Sequence, residues 1–480
     1  MKEEIEKILG REVNLVHPKD FRNGDYTLIA DESTAEEDFQ KLEKNKLAYI
    51  SKIEFIKPRF INFYLSKEFF KESLKEIIDK GENFGKSEHL KGFKVMVEHT
   101  DPNPFKEFHI GHLMPNVIGS TLARIFEWNG AEVKQVNYQG DVGLHVAKAV
   151  WGIRNGKSFE NAYTFGSRSY EDDKEDQKIR EEIDEINKKI YDKSDPGINQ
   201  IYEDGKKKSL EYFESIYEKL GTKFDYYFFE SETGDIGKKI VLDNVGKVFE
   251  KGEGGAIVFK GSHTRVFITS QGLPTYEAKD LGNAKNKYDK FPYDLSVIVT
   301  GNEIKDYFRV VLEAMELVLP DLAKKTKHLS HGMLRLPSGK MSSRTGDVIT
   351  AEELIEDVKK KVKDNEQVAI GAIKYMILRQ AIGNDIVFDI EKSVSTEGDS
   401  GVYLQYAYAR TNSLLEKANK KGDANAPREK THEIERLLYR FPEVVERAGK
   451  EYAPHYVTIY LTELAGSFNN FYAHEQVIDD

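Results

Sequence analysis

Two histidines on either side of a glycine have residue types and a spacing suited to phosphate binding. The segment His109-Ile110-Gly111-His112 follows a strand-like stretch and stands where a helical pattern begins. Backbone amides and the dipole at a helix N-terminus attract anions, and glycine lets the backbone approach a ligand closely. The motif therefore predicts a cradle for a polyphosphate, to which the imidazoles add donors. The same residues also fit a loop whose histidines only cap the helix, so a second signal is needed.

A second chemically active segment lies far downstream. Lys340-Met341-Ser342-Ser343 stands in the glycine-bearing stretch GKMSSRTGD. An ammonium and hydroxyls in such a loop are suited to closing over phosphates during a reaction. A surface turn is the alternative interpretation of this stretch.

Alternating strand and helix patterns predict how the histidine motif is positioned. A compact apolar strand, Phe93–Glu98, precedes the motif, and a helical pattern runs from Gly111 to Trp128. Asn129-Gly130 ends that helix, and Ala131–Tyr138 forms the next strand. This is a βαβ unit, the beginning of a parallel sheet, and the apolar run Leu295–Thr300 predicts another buried strand of that sheet. The fold class is therefore α/β with a Rossmann-like parallel sheet.

Composition limits the possible chemistry. The 480 residues contain 82 acidic and 71 basic side chains, a formal net charge of −11, and no cysteine. Disulfides, thiolate zinc sites and cysteine nucleophiles are thereby excluded, and a metal would need oxygen or imidazole ligands. We expect neither zinc nor a metal site built by the protein. The net charge argues against a nonspecific nucleic-acid binder, although a local basic surface is still compatible with it.

Three lysine clusters are candidates for such a basic surface, namely Lys206–Lys208, Lys359–Lys361 and Lys417–Lys421. A solvated face is the more ordinary interpretation of each cluster. No apolar stretch reaches the ~18 to 20 residues that a membrane helix requires. The N-terminus is acidic and amphipathic rather than a basic segment followed by an apolar block, so we expect no signal peptide, no membrane and a cytoplasmic location.

Changes in composition predict three domains. Residues 1–90 read as a small mixed α+β domain, and residues 91–362 as the nucleotide-binding domain. A densely charged stretch at about 157–227 interrupts the second domain, yet isoleucines recur in it at helical spacing, which predicts a helical insertion packed along one face. Residues 363–480 read as an all-α bundle, with candidate helices from Val368 to Phe471.

The two motifs, in this order and around a βαβ pattern, resemble the HIGH turn and KMSK loop of class I aminoacyl-tRNA synthetases. Three segments look like arginyl-tRNA synthetase. They are EHTDPNPFK before the HIGH turn, YEAKD further on, and HGMLRLPSGKMSSRTGDVIT. The stretches IVFDIEKSVSTEGDSGVYLQYAYAR and FNNFYAHEQV extend the resemblance over nearly the whole chain.

The resemblance implies ATP-dependent ligation of L-arginine to tRNA(Arg) through an arginyl-adenylate, with release of AMP and pyrophosphate. It implies ATP with Mg²⁺, L-arginine and tRNA(Arg) as partners, and a monomer. The N-terminal domain would contact the tRNA elbow and the helical domain the anticodon. The family typically activates arginine only when tRNA is bound.

Several residues have side chains suited to binding an arginine substrate. Guanidinium is planar, always charged and carries five donors, so a selective site needs carboxylates. Glu98, at the end of the first strand, and Asp280 are candidates, and Tyr276 lies four residues earlier on the same helical face to orient the substrate. By resemblance, Asn103 would hold the amino and carboxylate end of arginine. Ordinary alternatives are a Glu98–lysine pair and an exposed helix pair for Tyr276 and Asp280.

The predicted chemistry requires positioning and charge stabilisation on the phosphate oxygens. His109, His112 and Lys340 suit that role. The ATP site is completed by Gly111, Met341, Ser342 and Ser343. Ser343 stands where the KMSK loop usually has its second lysine, and Lys106, which matches a family position that supplies the missing charge, is the candidate replacement, with Arg344 as a neighbour.

Other departures from the family pattern are Val142 in place of tryptophan, His145 in place of glutamine, and Ile304 in place of a glutamine that helps hold arginine, with Glu303 beside it. The family's helical domain normally continues past the FNNFY segment. Because this chain stops at Asp480, we expect about a quarter to a half of that domain to be missing. Weakened anticodon discrimination would follow.

Three other functions fit parts of the sequence. A class I synthetase for glutamate or lysine shares the chemistry, but a glutamate pocket needs cations where Glu98 and Asp280 stand. A noncatalytic tRNA-binding relative has no need of a phosphate cradle. A dinucleotide-dependent oxidoreductase is excluded because no GxGxxG follows the first strand.

Overall fold

The computed structural model describes residues 1–172, 177–337, 349–418 and 430–478. The chain forms two compact units. The larger unit contains Ser87–Gln405 and Glu446–Ile459, and the smaller contains Met1–Lys86, Tyr406–Val445 and Tyr460–Asp480.

An all-parallel five-stranded sheet forms the centre of the larger unit. In spatial order its strands are Thr326–His331, Leu295–Gly301, Lys94–Glu98, Glu132–Gln139 and Tyr226–Phe229. The helix Ile110–Trp128 connects the two strands Lys94–Glu98 and Glu132–Gln139 as a βαβ unit. The predicted α/β class is confirmed, and the predicted first strand and helix agree with the structure to within one residue at each end.

Strand geometry assigns each side chain of Lys94–Glu98 to one face of the sheet. Val95 and Val97 are fully buried in one hydrophobic core, whereas Met96 is buried in a different core. Because side chains alternate along a strand, Glu98 shares the face of Met96. The carboxylate at the end of this strand therefore lies on the face opposite the helix Ile110–Trp128, whose Leu113 and Val117 pack with Val95 and Val97.

Helices and short sheets surround the central sheet. The remaining helices of the larger unit are Leu144–Arg154, Phe159–Asp172, Lys178–Asp192, Pro196–Leu220, Glu230–Asp243, Tyr276–Lys290, Lys305–Val318, Pro320–Lys325, Ala351–Lys361, Glu366–Leu378 and Ile390–Ser393. An antiparallel sheet contains Glu250–Lys251, Ile257–Lys260 and Thr264–Ile268, and Leu334–Arg335 pairs in parallel with Ile386–Val387. Among the described residues no helix combines the length and apolarity needed to cross a membrane.

The charged stretch after Lys157 is helical, as its isoleucine spacing predicts. Ile183, Ile186 and Ile190 on the helix Lys178–Asp192 are buried in a separate core with Val146 and Val150. One face of this helix is therefore apolar, and its charged residues occupy the other.

A buried carboxylate joins this insertion to the sheet. Asp141 is fully buried and accepts hydrogen bonds from Tyr202 at 2.9 Å, Lys206 at 2.7 Å and the Ser231 hydroxyl at 2.6 Å. Lys206 thus has a structural partner and is not a free phosphate-facing cation. Lys359 and Lys360 pair with Glu356 and Asp357 on their own helix, and Lys361 pairs with Glu391. Lys206 therefore departs from the solvated-face interpretation, whereas Lys360 and Lys361 are exposed and fit it. The third cluster extends outside the described residues.

The smaller unit has its own antiparallel sheet, with strand order Leu15–Val16, Tyr26–Ile29, Phe60–Leu65 and Ile50–Ile56. Its helices include Lys2–Leu9, Ala35–Lys44, Lys67–Lys80 and Glu433–Leu438. Tyr439 is buried in the same core as Leu28 and Phe63, and Arg436 pairs with buried Asp25 at 2.6 Å. Three further helices span Gly401–Ala418, Phe441–Lys450 and His455–His474.

The compact units differ from the predicted division at residues 90 and 363. The helix Glu366–Leu378, predicted to open the all-α bundle, buries Ala369, Ile373 and Met376 in the core on one face of the parallel sheet. In the smaller unit, Tyr439 packs with the N-terminal sheet. Both differences arise from long-range packing, which local composition does not reveal.

Two glycines allow a close helix crossing beside the sheet. A Cβ at Gly282, on the helix Tyr276–Lys290, would lie 2.1 Å from the Thr233 carbonyl oxygen, and one at Gly237, on the helix Glu230–Asp243, would lie 1.8 Å from the Ala278 oxygen. Backbone atoms cannot move aside as a flexible side chain can. Glycine is therefore required at both positions for these helices to pack at this distance.

We expect Gly282→Ala to lower the free energy of unfolding by about 1–3 kcal/mol because the new methyl group forces the two helices apart. Urea denaturation of the full chain measures this. The matched control is Gly197→Ala, on the helix Pro196–Leu220, where the nearest atom to a Cβ is 3.4 Å away. That control should be neutral or slightly stabilising because alanine favours a helix over glycine. Equal effects of the two substitutions would contradict the close crossing.

Candidate active site

A single cavity of about 600 Å³ opens beside the carboxyl ends of the central strands. Its lining contains seven of the residues singled out from the sequence, namely Glu98, Asn103, His109, Gly111, His112, Tyr276 and Asp280. These residues come from separate stretches of chain, and the sheet brings them together. Ligand sites in open parallel sheets lie at this edge.

The two histidines of the HIGH turn are stacked at the start of the helix Ile110–Trp128. Their ring centroids are 3.7 Å apart. The Gly111 amide donates to His109 Nδ1 at 3.1 Å, and the His109 amide donates to His112 Nδ1 at 3.2 Å. A ring nitrogen that accepts an N–H carries no proton, so each neutral ring holds its proton on Nε2. The turn therefore provides two oriented Nε2–H donors.

Burial keeps both imidazoles uncharged. Desolvation, together with the positive charge of Lys106, lowers the pKa of His109 to about 4. Burial likewise holds the pKa of His112 well below its ordinary value, and the neighbouring His109 and Lys106 add to this effect. At neutral pH these side chains act as hydrogen-bond donors and not as cations, so positive charge for a phosphate must come from elsewhere.

Gly111 has a local steric role. A Cβ at this position would lie 2.8 Å from Cε1 and Nδ1 of the His109 ring. The ring folds back over the first turn of the helix to reach the Gly111 amide, and a side chain there would displace it.

Lys106 lies close enough to the histidines to lower their pKa values, but it is not among the residues that line the cavity. Its Nζ is 4.9 Å from the ring centroid of Tyr163, which stands on the insertion helix Phe159–Asp172. A cation over an aromatic face is attracted to it. The insertion therefore contributes to holding this lysine near the HIGH turn. Lys340, Met341, Ser342, Ser343 and Arg344 lie outside the described residues.

Two carboxylates on the cavity wall accept hydrogen bonds from neighbouring helices. Glu98 Oε2 accepts from Lys287 at 2.7 Å and from Asn283 at 2.9 Å. Glu98 thus does pair with a lysine, as the ordinary alternative held, yet it also lines the cavity. Asp280 Oδ2 accepts from the Tyr307 hydroxyl.

The pKa of Asp280 is raised to about 8. Burial is the largest cause; the Tyr307 hydrogen bond lowers the pKa and the charge of Glu98 raises it. A carboxyl in this condition is poised to ionise when a cation enters the cavity. Tyr276, one turn earlier on the same helix, also lines the cavity. Tyr276 and Asp280 therefore share a helical face, as predicted, and that face borders the cavity.

Asn103 lines the cavity close to the backbone of Gly140. A Cβ at Gly140 would lie 2.4 Å from Asn103 Oδ1 and 3.0 Å from Glu230 Oε1. Both side chains therefore converge on the backbone of Gly140. Glu230 is itself paired with Lys279 at 2.7 Å, and this pair is buried.

Several lining residues were not assigned a role from the sequence. Asp101 stands in EHTDPNPFK, a segment of the family resemblance, and Tyr307 follows Ile304 by three residues. Asp101 has a φ of 43°, and its Oδ1 accepts from the Tyr138 amide at 2.7 Å. Burial and the charge of Glu98 raise its pKa well above the ordinary value. Glu230 follows a strand without any motif, and only tertiary packing identifies it.

The departures from the family pattern have structural explanations. His145 Nε2 donates to the Gly140 carbonyl oxygen at 2.8 Å, and burial lowers the pKa of this imidazole to about 3, so a polar role is retained. Val142 is buried in the apolar core of the insertion. Ile304 and Glu303 both line the cavity. Among the described residues no cluster of three or more histidine or acidic side chains is arranged to hold a metal ion.

Comparison with known proteins places this site in a class. The family model described as "tRNA synthetases class I (R), catalytic domain" matches residues 73–390, and the "DALR anticodon binding domain" model matches residues 404–480. A parallel sheet with a HIGH turn at its carboxyl edge, within a matched catalytic domain, is the architecture of a class I tRNA synthetase.

Individual similar proteins indicate which class I synthetase family this chain belongs to. An arginine–tRNA ligase of Treponema pallidum is 31% identical over 458 residues, covering 86% of this chain and 78% of that protein. One of Borreliella burgdorferi is 31% identical over 467 residues, covering 88% and 80%. The solved structures of the arginyl-tRNA synthetases of Thermus thermophilus and Plasmodium falciparum are similar in fold, with TM-scores of 0.79 and 0.80 at 23% and 18% identity, each covering 99% of this chain and 91% of its own. The chain belongs to the arginyl-tRNA synthetase family.

Arginine binding should depend on pH through Asp280. A protonated carboxyl cannot pair with guanidinium, and the pKa of this group is about 8 in the empty site. The affinity for L-arginine should therefore improve about tenfold between pH 6 and pH 7 and level off above pH 8, with close to one proton released per arginine bound at pH 7. Calorimetry in buffers of different ionisation enthalpy measures both quantities. An affinity that is constant from pH 6 to pH 8 would contradict this role.

Tyr163 should support Lys106 during the reaction with ATP. Removing the aromatic face in Tyr163→Leu should raise the KM for ATP or lower kcat in pyrophosphate exchange by about 3- to 10-fold, the equivalent of a partly exposed cation–π contact. Tyr163→Phe is the matched control and should stay near the unsubstituted protein, because phenylalanine retains the ring. If the two variants behave alike, Lys106 does not depend on this ring.

Proposed function

We propose that this chain ligates L-arginine to tRNA(Arg) in an ATP-dependent reaction through an arginyl-adenylate, releasing AMP and pyrophosphate. One observation carries the proposal: the same cavity is lined by the Nε2–H donors of the HIGH turn and by two carboxylates suited to guanidinium. A site for ATP chemistry and a site for a planar cation are thereby adjacent.

In the first step the arginine carboxylate, already ionised at pH 7, attacks the α-phosphorus of ATP and expels pyrophosphate. The protein's contribution is to orient the two substrates and to stabilise charge on the phosphate oxygens. His109 and His112 donate through Nε2, and Lys106 supplies the positive charge that these neutral rings lack. Lys340 is assigned to the same task by resemblance. ATP enters with Mg²⁺ as part of the substrate.

Arginine is selected by charge and by geometry. Glu98 and Asp280 each present a carboxylate to the cavity, which matches a guanidinium with donors along its edges. Tyr276 orients the side chain, and Asn103, beside Gly140, holds the amino and carboxylate end. A glutamate substrate would face repulsion from the same carboxylates.

In the second step a ribose hydroxyl at the 3′ end of tRNA attacks the adenylate, and AMP leaves. Residues 1–90 are proposed to contact the tRNA elbow and the helical part from about 363 to 480 to contact the anticodon. The protein would act in the cytoplasm as a monomer, which sedimentation of the purified chain tests.

The experiment that tests this function is ATP–pyrophosphate exchange with each of the twenty amino acids, with and without tRNA(Arg). Exchange with arginine alone, and only when tRNA is present, is the expected result. His112→Asn should lower exchange by about 10²-fold or more, since it removes an oriented donor to the phosphates. His263→Asn, an exposed histidine in the turn after Ile257–Lys260, is the matched control and should leave exchange unchanged.

Other results would exclude the proposed function. Exchange with a different amino acid would move the assignment to another class I synthetase. No exchange with any amino acid, in a sample that still binds tRNA, would indicate a noncatalytic tRNA-binding protein.

A further inference from the structure

The two carboxylates that face the cavity are each held through one oxygen, Glu98 by buried side chains and Asp280 by a half-buried one. Lys287 is 1% exposed, and its Nζ lies 2.7 Å from Glu98 Oε2 and 3.3 Å from Ser296 Oγ. Asn283 donates to the same Glu98 oxygen at 2.9 Å. Within the described residues, Glu98 Oε1 makes no side-chain hydrogen bond.

Asp280 is arranged in a similar way. The Tyr307 hydroxyl donates to Oδ2, and within the described part of the chain Oδ1 accepts no hydrogen bond. Tyr307 stands on the helix Lys305–Val318, whereas Asp280 stands on Tyr276–Lys290. The donor and the carboxylate therefore belong to different helices, and their contact fixes the carboxylate relative to the cavity wall.

We propose that Lys287 and Tyr307 are positioning residues of the guanidinium site, which hold Glu98 and Asp280 so that one free oxygen of each faces the arginine side chain. This inference rests on the proposed function, because it assigns the two carboxylates to arginine. Lys287 does not line the cavity, and the Tyr307 hydroxyl is hydrogen-bonded to Asp280. Each acts through the carboxylate that it holds.

Charge balance supports the same assignment. Glu98, Asp280 and Lys287 together carry one net negative charge when all are ionised, which matches one guanidinium. Burial and the charge of Glu98 raise the pKa of Asp101, the third nearby carboxyl, well above its ordinary value, which disfavours a further negative charge there. Without Lys287, two carboxylates in a buried site would repel each other, and one of them would take up a proton.

Because residue 304 is apolar, the donors Lys287 and Tyr307 matter more for arginine binding. Ile304 lines the cavity and has no hydrogen-bonding group to offer an arginine side chain. Recognition of guanidinium at this site therefore depends on the carboxylates, and on what keeps their free oxygens in place.

Lys287→Met and Tyr307→Phe test the inference, with kinetics of arginine-dependent pyrophosphate exchange and direct arginine binding as readouts. Lys287→Met should raise the arginine KM by about 10²-fold and Tyr307→Phe by about tenfold, while the ATP KM changes less than twofold. Lys287→Arg should restore most of the affinity because it retains the charge. Lys285→Met, on the exposed side of the same helix and paired with Asp289, is the matched control and should have no effect.

A readout that a purely structural role would not change is the pH profile of arginine binding. The Tyr307 hydrogen bond lowers the pKa of Asp280, so Tyr307→Phe should shift the profile to higher pH. Tyr307→Phe removes only one hydroxyl and keeps this test available if Lys287→Met does not fold.

Three results overturn the inference. A loss of stability with an unchanged pH profile and equal effects on the arginine and ATP KM values would make both residues merely structural. If the unsubstituted protein binds no arginine, the proposed function fails together with this inference. Normal arginine exchange in all variants overturns the inference alone.

Discussion

Carboxylates buried at the carboxyl edge of a parallel sheet are stable only where cations or hydrogen-bond donors meet them. Glu98 ends a central strand and pairs with Lys287, while Asp280 accepts a hydrogen bond from Tyr307. Both donors come from helices packed on the sheet, so the packing of those helices and the electrostatics of the cavity depend on each other. The residual negative charge is directed into the cavity, where a guanidinium can complete the balance.

The HIGH turn lines the cavity with neutral hydrogen-bond donors instead of charged groups. Burial makes the imidazoles of His109 and His112 neutral, and the helix start fixes their protons on Nε2. Oriented neutral donors stabilise developing charge without reorganisation, but they supply no net positive charge. Lys106, held over Tyr163 of the insertion, is the residue proposed to provide that charge. The charged insertion thus supports the catalytic domain from outside the sheet.

Elements with a strong local pattern were predictable from the sequence. The βαβ unit around Ile110–Trp128 agrees with prediction because apolar periodicity and glycine stops act locally. The cavity residues were found by motif and resemblance, and their roles in binding stay predictions. Lys287 and Tyr307 were not assigned because their partners are far away in sequence; Lys287 and Glu98 are 189 positions apart. The packing of Glu366–Leu378 on one face of the sheet likewise depends on partners distant in sequence.

The most direct test is a crystal structure of the full chain with L-arginine and a nonhydrolysable ATP analogue. We expect the guanidinium to lie between Glu98 and Asp280, within hydrogen-bond distance of Glu98 Oε1 and Asp280 Oδ1. We also expect phosphate oxygens to accept hydrogen bonds from Nε2 of His109 and His112. An arginine bound with its carboxylate toward Asp280, or a guanidinium outside the cavity, would contradict selection of the substrate by the carboxylates at this sheet edge.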